Sequence, residues 1–267
     1  MENKIDLSVI LPIKSALAKD FNEFFEKAIK SIHEQKVEIK DLIVVHTEEE
    51  ALVKFLTEFD FKGLRVKLIK HEGEPNYASQ INRGIEESDS EWISFFEFDD
   101  EYSKIWFDNV KKYIDGNSDA DGFLPIVVDI DSKNTFAGFT NEITFVAAFS
   151  SEIGVVTQDL LDKYQNFQAS GMVIKREKVK SFGNFKSSIK LTFGYEFFLR
   201  MIYNSVKIIT IPKIGYKHNN MREGSIFWNY KFGSNPLSPE EVKFWVELSK
   251  KEYFFTNDRN IIFEENA

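Results

Sequence analysis

The stretch Glu91-Trp92-Ile93-Ser94-Phe95-Phe96-Glu97-Phe98-Asp99-Asp100-Glu101 decides the fold. Trp92 to Phe96 is an apolar run of strand length, and Glu97, Asp99, Asp100 and Glu101 then place four carboxylates within five residues. A run this short and this rich in aromatic side chains reads as a buried strand. Carboxylates crowded at its end repel one another unless a cation sits between them, and hard oxygen donors suit magnesium or manganese. Strand alternation puts Glu97 and Asp99 on one face and Asp100 on the other. The competing reading of such a charge run is a solvated acidic loop.

Working outward, Leu7 to Leu11 is an apolar run ended by Pro12, Leu42 to Val45 is a second, and Leu64 to Ile69 alternates as a third. Phe24, Phe25, Ala28, Ile29 and Ile32 recur at helical spacing, and Ala51 to Phe59 and Tyr77 to Ile85 also read as helices. Strand and helix alternating at this interval imply a mostly parallel sheet with crossover helices, an α/β fold. Ligands of such sheets bind beyond the carboxyl ends of the strands, so Pro12, His46 and Glu97 stand where chemistry is expected.

Downstream the pattern is less regular. Gly122 to Ile130 and Ile143 to Phe149 are expected as strands around a polar turn at 132–134. Met172 to Ile174 is expected as a short strand before a basic segment, Lys175 to Lys180. Phe193 to Tyr203 reads as a helix, Val206 to Ile211 as a strand, and Ser238-Pro239-Glu240-Glu241 as the capped start of a last helix through Leu248.

Composition narrows the class. The chain has 267 residues, 43% of them hydrophobic and 29% charged, enough for a sizeable core. A net charge of −9 disfavours a generic nucleic-acid or anionic-membrane surface. The absence of cysteine excludes disulfides, thiolate zinc sites and thiol catalysis. No apolar run approaches the ~20 residues of a membrane helix, and the charged start carries no secretory signal, so a cytoplasmic location is expected. Most of the 27 phenylalanines are expected in the core.

Two further constellations carry candidate chemistry. Gly215-Tyr216-Lys217-His218 is followed by Arg222 and Ser225, so an imidazole, a guanidinium and a hydroxyl share one loop suited to a metal shell or phosphate oxygens. Taken alone, His218 reads as structural; His33 and His71 carry no such company. Glu196 starts the Phe193 helix with Arg200 one turn later. Such a pair usually lies on a helix surface, but a carboxylate facing the cleft would serve as a general base. The chain lacks Gly-x-Gly-x-x-Gly and Gly-x-x-x-x-Gly-Lys, which argues against dehydrogenases and P-loop nucleotidases.

Taken in order, these segments resemble glycosyltransferase family 2 of the GT-A fold. Ser8 to Pro12 is similar to its opening strand, Asp41 to Val45 to its second, and Asn82-Arg83-Gly84-Ile85 to its Asn-x-Gly-Ile helix end. Glu91 to Asp100 resembles the strand bearing its Asp-x-Asp motif. Ser170 to Ile174 with Ser181 to Phe185 resembles its acceptor-side stretch, Tyr195 to Arg200 its catalytic helix, and Tyr216 to Ser225 its late loop. The resemblance implies inverting sugar transfer from a nucleoside-diphosphate sugar, with Mn2+ or Mg2+, to a glycan, lipid-linked or other hydroxyl acceptor. By position it implies Asp99, Glu97 and His218 at the metal, with Pro12, His46, Asn82, Glu97, Arg222 and Ser225 toward the donor. Glu196 is the implied base, because the family's usual base position falls at Gly194. His46-Thr47 stands where the family carries Asp-Asp. Residues 1–230 are expected as the transferase domain, with a nucleotide-binding half at 1–115, an acceptor-side half at 116–230 and a helical extension at 231–267. A non-catalytic module of the same fold and a sugar nucleotidyltransferase are the alternatives. The second would want a glycine-rich basic loop after the first strand, and Pro12 to Leu17 has no glycine.

Overall fold

The computed structural model describes residues 3–131, 133–220 and 222–263. Strands β1 (Leu7–Ile13), β2 (Asp41–His46), β3 (Val66–Lys70) and β4 (Trp92–Phe95) alternate with helices α1 (Phe21–His33), α2 (Glu50–Glu58) and α3 (Tyr77–Glu87). All four strands pair in parallel, in the order β3-β2-β1-β4. The β1, β2 and β4 residues are buried throughout, because helices cover both faces.

Leu7, Val9, Leu11 and Ile13 of β1 face a cluster built with Phe21, Phe25 and Ile29 of α1. Ile10, between them, faces α3 through Ile81 and Ile85. Phe25 meets Phe55, Phe59 and Phe61 with ring centroids 4.8–6.1 Å apart, which accounts for much of the phenylalanine on this face. Each fully buried side chain of this size stabilises the fold by about 1.5–3 kcal/mol.

The second half adds β5 (Glu101–Tyr102), α4 (Trp106–Gly116), β6 (Gly122–Ile130), β7 (Phe136–Thr140), α5 (Gln158–Lys163), β8 (Val173–Lys175), α6 (Arg176–Phe182), α7 (Phe193–Tyr203) and β9 (Ile208–Asn219). It continues the sheet as β4-β8-β6-β9-β5, with β7 on the edge of β6. The β6–β9 pairing is parallel and brings Asp129 beside His218; β8, β5 and β7 pair antiparallel. α8 (Ile226–Phe232) and α9 (Pro239–Glu252) follow. Trp245 of α9 is fully buried, its carbonyl accepting from Thr192 Oγ1 at the start of α7. Among the described residues no helix is long and apolar enough to cross a membrane.

Two expectations are corrected. Residues 143–149 are not a strand: a 3-10 turn (Glu142–Phe145) and loop occupy them, and the strand lies earlier, at β7. The cause is Asn141, which takes φ 73° and spends its side chain on the Pro125 and Gln168 carbonyls, breaking the extended path. Gly215 to His218, expected in one loop with Arg222 and Ser225, lie instead in β9, because pairing with β6 keeps them extended. Ser132 of the expected turn lies outside the described residues.

Candidate functional site

The backbone after β4 builds the site. Phe96 N–H still bonds the Ile10 carbonyl of β1 at 3.0 Å, but Asp100 N–H then turns back to the Glu97 carbonyl at 3.2 Å. Strand alternation therefore ends before the carboxylates, and the turn gathers Glu97, Asp99 and Asp100 beyond the sheet's carboxyl edge. Asp99 and Asp100 are buried and Glu97 is half-buried.

Each carboxylate has its own neighbours. Glu97 Oε1 accepts from Ser170 Oγ, and the Glu97 N–H donates to the Tyr216 hydroxyl at 3.2 Å. Asp99 Oδ2 accepts from Arg222 Nε. Asp100 Oδ1 accepts from the Asn219 N–H at 2.9 Å, whereas its buried Oδ2 has no partner among the described residues. The Asn219 amide closes the turn onto the Asp99 carbonyl.

Burial raises the Glu97 carboxyl above its usual range, partly offset by His218, and raises Asp100 well above its own. For His218 burial acts to lower the pKa, but Asp100, the Asp129 hydrogen bond and Glu97 outweigh it and lift the imidazole to about 10. These neighbours favour the protonated ring, its Nδ1 2.8 Å from Asp129 Oδ1, while Asp129 Oδ2 accepts from Thr140 Oγ1. Opposite, burial lifts the Tyr77 hydroxyl well above the phenol range beside Glu97 and Ser170. The Tyr77 ring lies 5.6 Å from that of Phe193, the first residue of α7.

The expected residues fall into two groups. Glu97, Asp99, His218 and Arg222 converge on one acidic centre. Pro12 is buried in β1, paired with Val45 of β2. His46 closes β2 with Nδ1 2.8 Å from the Thr47 carbonyl, near a hollow of about 300 Å³ lined by Thr47, Lys70 and His71. Asn82 is a clasp, its amide oxygen accepting from the Phe185 N–H at 2.9 Å and its amide nitrogen donating to the Phe185 carbonyl at 2.7 Å. Ser225 caps α8 through the Trp228 N–H.

The placement expected for Glu196 is corrected. Its side chain is 0% exposed, and both its oxygens bond Arg200, at 2.9 and 3.0 Å, with Lys186 Nζ 3.1 Å from Oε1. A carboxylate so enclosed does not meet an acceptor hydroxyl. Gly194, two residues earlier, borders open space: a Cβ built there meets nothing within 4 Å. Sequence reasoning missed Asp129, Tyr77, Asn219 and the direct contact of Ser170. Only Asp129, an acid ending the apolar β6 run, left a signal comparable to that of the 97–101 stretch.

Among the described residues no three His, Asp or Glu side chains already converge as a metal shell. The chemistry of the donor set still suits a hard cation: three carboxylates share the turn, and Asp100 Oδ2 is an unspent buried acceptor. His218 commits Nδ1 to Asp129, which leaves Nε2 as the ring atom that would meet a metal. A cleft of about 940 Å³ opens beside Arg222 and Asn219, running between α1, β5 and β9.

The model of the family described as Glycosyl transferase family 2 matches residues 8–184. No curated protein matches the chain by sequence. Among solved structures the chain is similar to S. aureus TarS 1-349 in complex with UDP-GlcNAc, with TM-score 0.64 and 17% identity over 95% of this chain and 68% of that one. The same protein in complex with UDP gives TM-score 0.63 and 15% identity, covering 95% and 67%. The mannosyltransferase PcManGT from Pyrobaculum calidifontis, in complex with GDP-Man and Mn2+, gives TM-score 0.60 and 14% identity, covering 94% and 70%. At such identities the likeness is one of fold.

Proposed function

The chain belongs to glycosyltransferase family 2, and on that footing we propose that it moves a sugar from a nucleoside diphosphate to an acceptor hydroxyl with inversion at the anomeric carbon. The observation that carries the reading is the gathering of Glu97, Asp99 and Asp100 beyond β4, with Arg222 and His218 facing them. A diphosphate leaving group needs positive charge where its own negative charge develops. Arg222 supplies a fixed cation able to bond two phosphate oxygens, and the His218 imidazolium a second. Glu97, Asp99 and Asp100 would hold Mn2+ or Mg2+, in keeping with the Mn2+ that accompanies GDP-Man in the PcManGT complex. When bound, such an ion neutralises the departing diphosphate.

In this reading the donor lies along the carboxyl edge of the sheet, with its base toward His46 and Thr47 and its diphosphate at Arg222. UDP and GDP are the first candidates, because UDP, UDP-GlcNAc and GDP-Man accompany the neighbouring folds. The acceptor oxygen attacks the anomeric carbon from the side of Tyr77 and Phe193 as the bond to the diphosphate oxygen breaks. Its proton passes to water in the open space beside Gly194, because Glu196 is committed to Arg200 and Lys186. Residues 1–230 form the transferase unit of this proposal, and 231–263 buttress α7.

A thermal-shift panel tests it, with nucleoside diphosphates offered with and without Mn2+ to the parent and to Asp99→Ala. A matching diphosphate at about 100 times its Kd stabilises the parent by about 2.7 kcal/mol. The reading predicts that this shift needs Mn2+ and disappears in Asp99→Ala. Silence across the panel, from a protein that melts cooperatively, removes the donor site.

A further inference from the structure

Arg222 is seated by more than one contact. Its Nε donates to Asp99 Oδ2, and the two side chains are only 14% and 9% exposed. The guanidinium carbon lies 4.9 Å from the Phe98 ring centroid, and the Phe98 and Phe21 ring centroids are 5.0 Å apart, Phe21 opening α1. Nη1 donates to the Glu223 carbonyl at 3.1 Å. On either side the loop is pinned: the Asn219 backbone and amide hold Asp100 and the Asp99 carbonyl, and Ser225 N–H bonds the Arg222 carbonyl at 3.0 Å. The arginine therefore has a slot, with a carboxylate at its edge and an aromatic floor.

A buried carboxylate paired in this way has spent an oxygen and its local charge on one partner. A divalent ion reaching Asp99 would stand next to a fixed guanidinium, in a place where water screens poorly. Arginine and cation are thus rivals for the same carboxylate. A diphosphate changes the balance, since its oxygens offer the guanidinium a bidentate partner that Asp99, bonded through Nε alone, does not. Nearby, Asp100 Oδ2 is already buried and unpartnered, ready to serve whatever replaces the arginine.

We propose that Arg222 is the internal counter-ion of Asp99, and that an anionic donor must draw it off Phe98 and Asp99 before a divalent cation binds there tightly. This deepens the transferase reading and rests on it for the identity of the anion. Linkage makes the effect reciprocal: diphosphate tightens the cation, and the cation tightens diphosphate, by the same factor. Arg222 acts in this as a positioning residue, handing one charge from protein to ligand.

Calorimetric titration of the full chain with Mn2+ alone, and separately with UDP and GDP alone, tests the proposal on the parent and on Arg222→Gln and Phe98→Leu. Removing the guanidinium should tighten Mn2+ by at least about tenfold while weakening the diphosphate. Phe98→Leu, which keeps the charge but removes the aromatic floor, should tighten Mn2+ by a smaller factor. Arg222→Gln and Phe98→Leu proteins that fold and bind Mn2+ no more tightly than the parent would overturn the inference. If neither diphosphate binds any of the proteins, yet Arg222→Gln still tightens Mn2+, the counter-ion role stands and the donor reading fails. If a diphosphate binds the parent but the Mn2+ affinity does not respond to Arg222, the donor reading stands and the counter-ion role fails.

Discussion

Glu196 and Arg200, one turn apart on α7, form a two-point ion pair in which neither side chain is exposed. The remaining guanidinium donors go to the carbonyls of Phe182, Gly183 and Asn184. Lys186, itself 1% exposed, adds a second cation to Glu196 and donates to the Glu252 carbonyl at 2.6 Å. One carboxylate thus fastens α7, the 182–186 loop and the end of α9 to each other. A helix pair that on a surface is worth a few tenths of a kcal/mol is here the joint of the acceptor-side half.

Glu196→Gln should therefore act on stability before it acts on chemistry. It leaves Arg200 buried without its counter-charge and Lys186 with Glu252 alone, 3.8 Å away, a change that destabilises by about 3–5 kcal/mol. Urea unfolding followed by circular dichroism would read the loss directly. An unchanged midpoint with turnover abolished would instead make Glu196 a catalytic base.

The strap after α9 should behave differently. Asp258 accepts from the N–H groups of Ser187 and Ser188, at 2.6 and 3.2 Å, and from both serine hydroxyls. Because Asp258 is exposed, Asp258→Ala should lower global stability by no more than about 1 kcal/mol. The local effect should be larger, since this carboxylate alone satisfies two loop N–H groups. Hydrogen exchange at residues 186–190 should accelerate in the variant while that of β1 and β4 stays unchanged; equal protection in both proteins would refute the strap.

These two relationships mark what a sequence can and cannot reveal. β1, α1, β2, α3, β4 and α7 were legible because each has a single strong pattern: strands buried on both faces, helices with one apolar side, or, in α7, a dense apolar run buried all round. β7 was not, because Phe136 and Phe139 sit exposed on an edge strand, where apolar residues do not report burial. The carboxylates at 97–101 were legible as charge following an apolar strand. Their partners were not: Ser170 lies 73 residues from Glu97, Arg222 123 residues from Asp99, and Asp129 89 residues from His218. Glu196 and Arg200 show the converse limit, since their spacing was plain but their burial depends on Lys186 and α9.

His218 makes a pH prediction for the EDTA-treated protein. Its folded pKa is raised to about 10 from an ordinary 6.5, so the folded state holds a proton that the unfolded state releases. The resulting stabilisation is fully present below pH 6.5 and is lost as pH climbs through 10. His218→Gln removes this contribution, so the gap in stability between parent and variant should narrow from about pH 7 to about pH 10. The His218 ring resonances in NMR should show no titration near neutrality. A midpoint near the ordinary imidazole value would contradict the placement of Asp100 and Asp129 around the ring.

Gly171 couples backbone to site. It has φ +79°, its N–H bonds the Phe95 carbonyl, and its carbonyl accepts from Trp106 Nε1. A Cβ there would lie 2.5 Å from the Tyr216 ring, whose hydroxyl receives the Glu97 N–H. Gly171→Ala should destabilise by about 1–3 kcal/mol through overpacking, with a left-handed backbone penalty added. It should also weaken diphosphate binding, because Tyr216 is pushed against the turn that carries Glu97. Calorimetry on the folded variant separates the two effects, and wild-type binding would show that the turn does not depend on Tyr216.

Gly194→Asp tests the acceptor side. The position lies in the first turn of α7, where a carboxylate interacts favourably with the helix dipole by about 0.3–1 kcal/mol. Its Cβ enters open space, so no neighbour must move. Stability should hold or rise slightly. The chemical consequence follows from what α7 lacks: Glu196 is enclosed, and no other carboxylate stands in the helix's first turn. A correctly placed general base speeds a reaction by about 10²–10⁴-fold. If acceptor deprotonation limits the parent, Gly194→Asp should raise kcat with whichever donor the thermal-shift panel identifies and leave the donor's KM little changed. The gain should vanish in Gly194→Asn, which has the same shape and no base. Equal rates for parent, Asp and Asn would show that the proton leaves by a route that does not pass this helix.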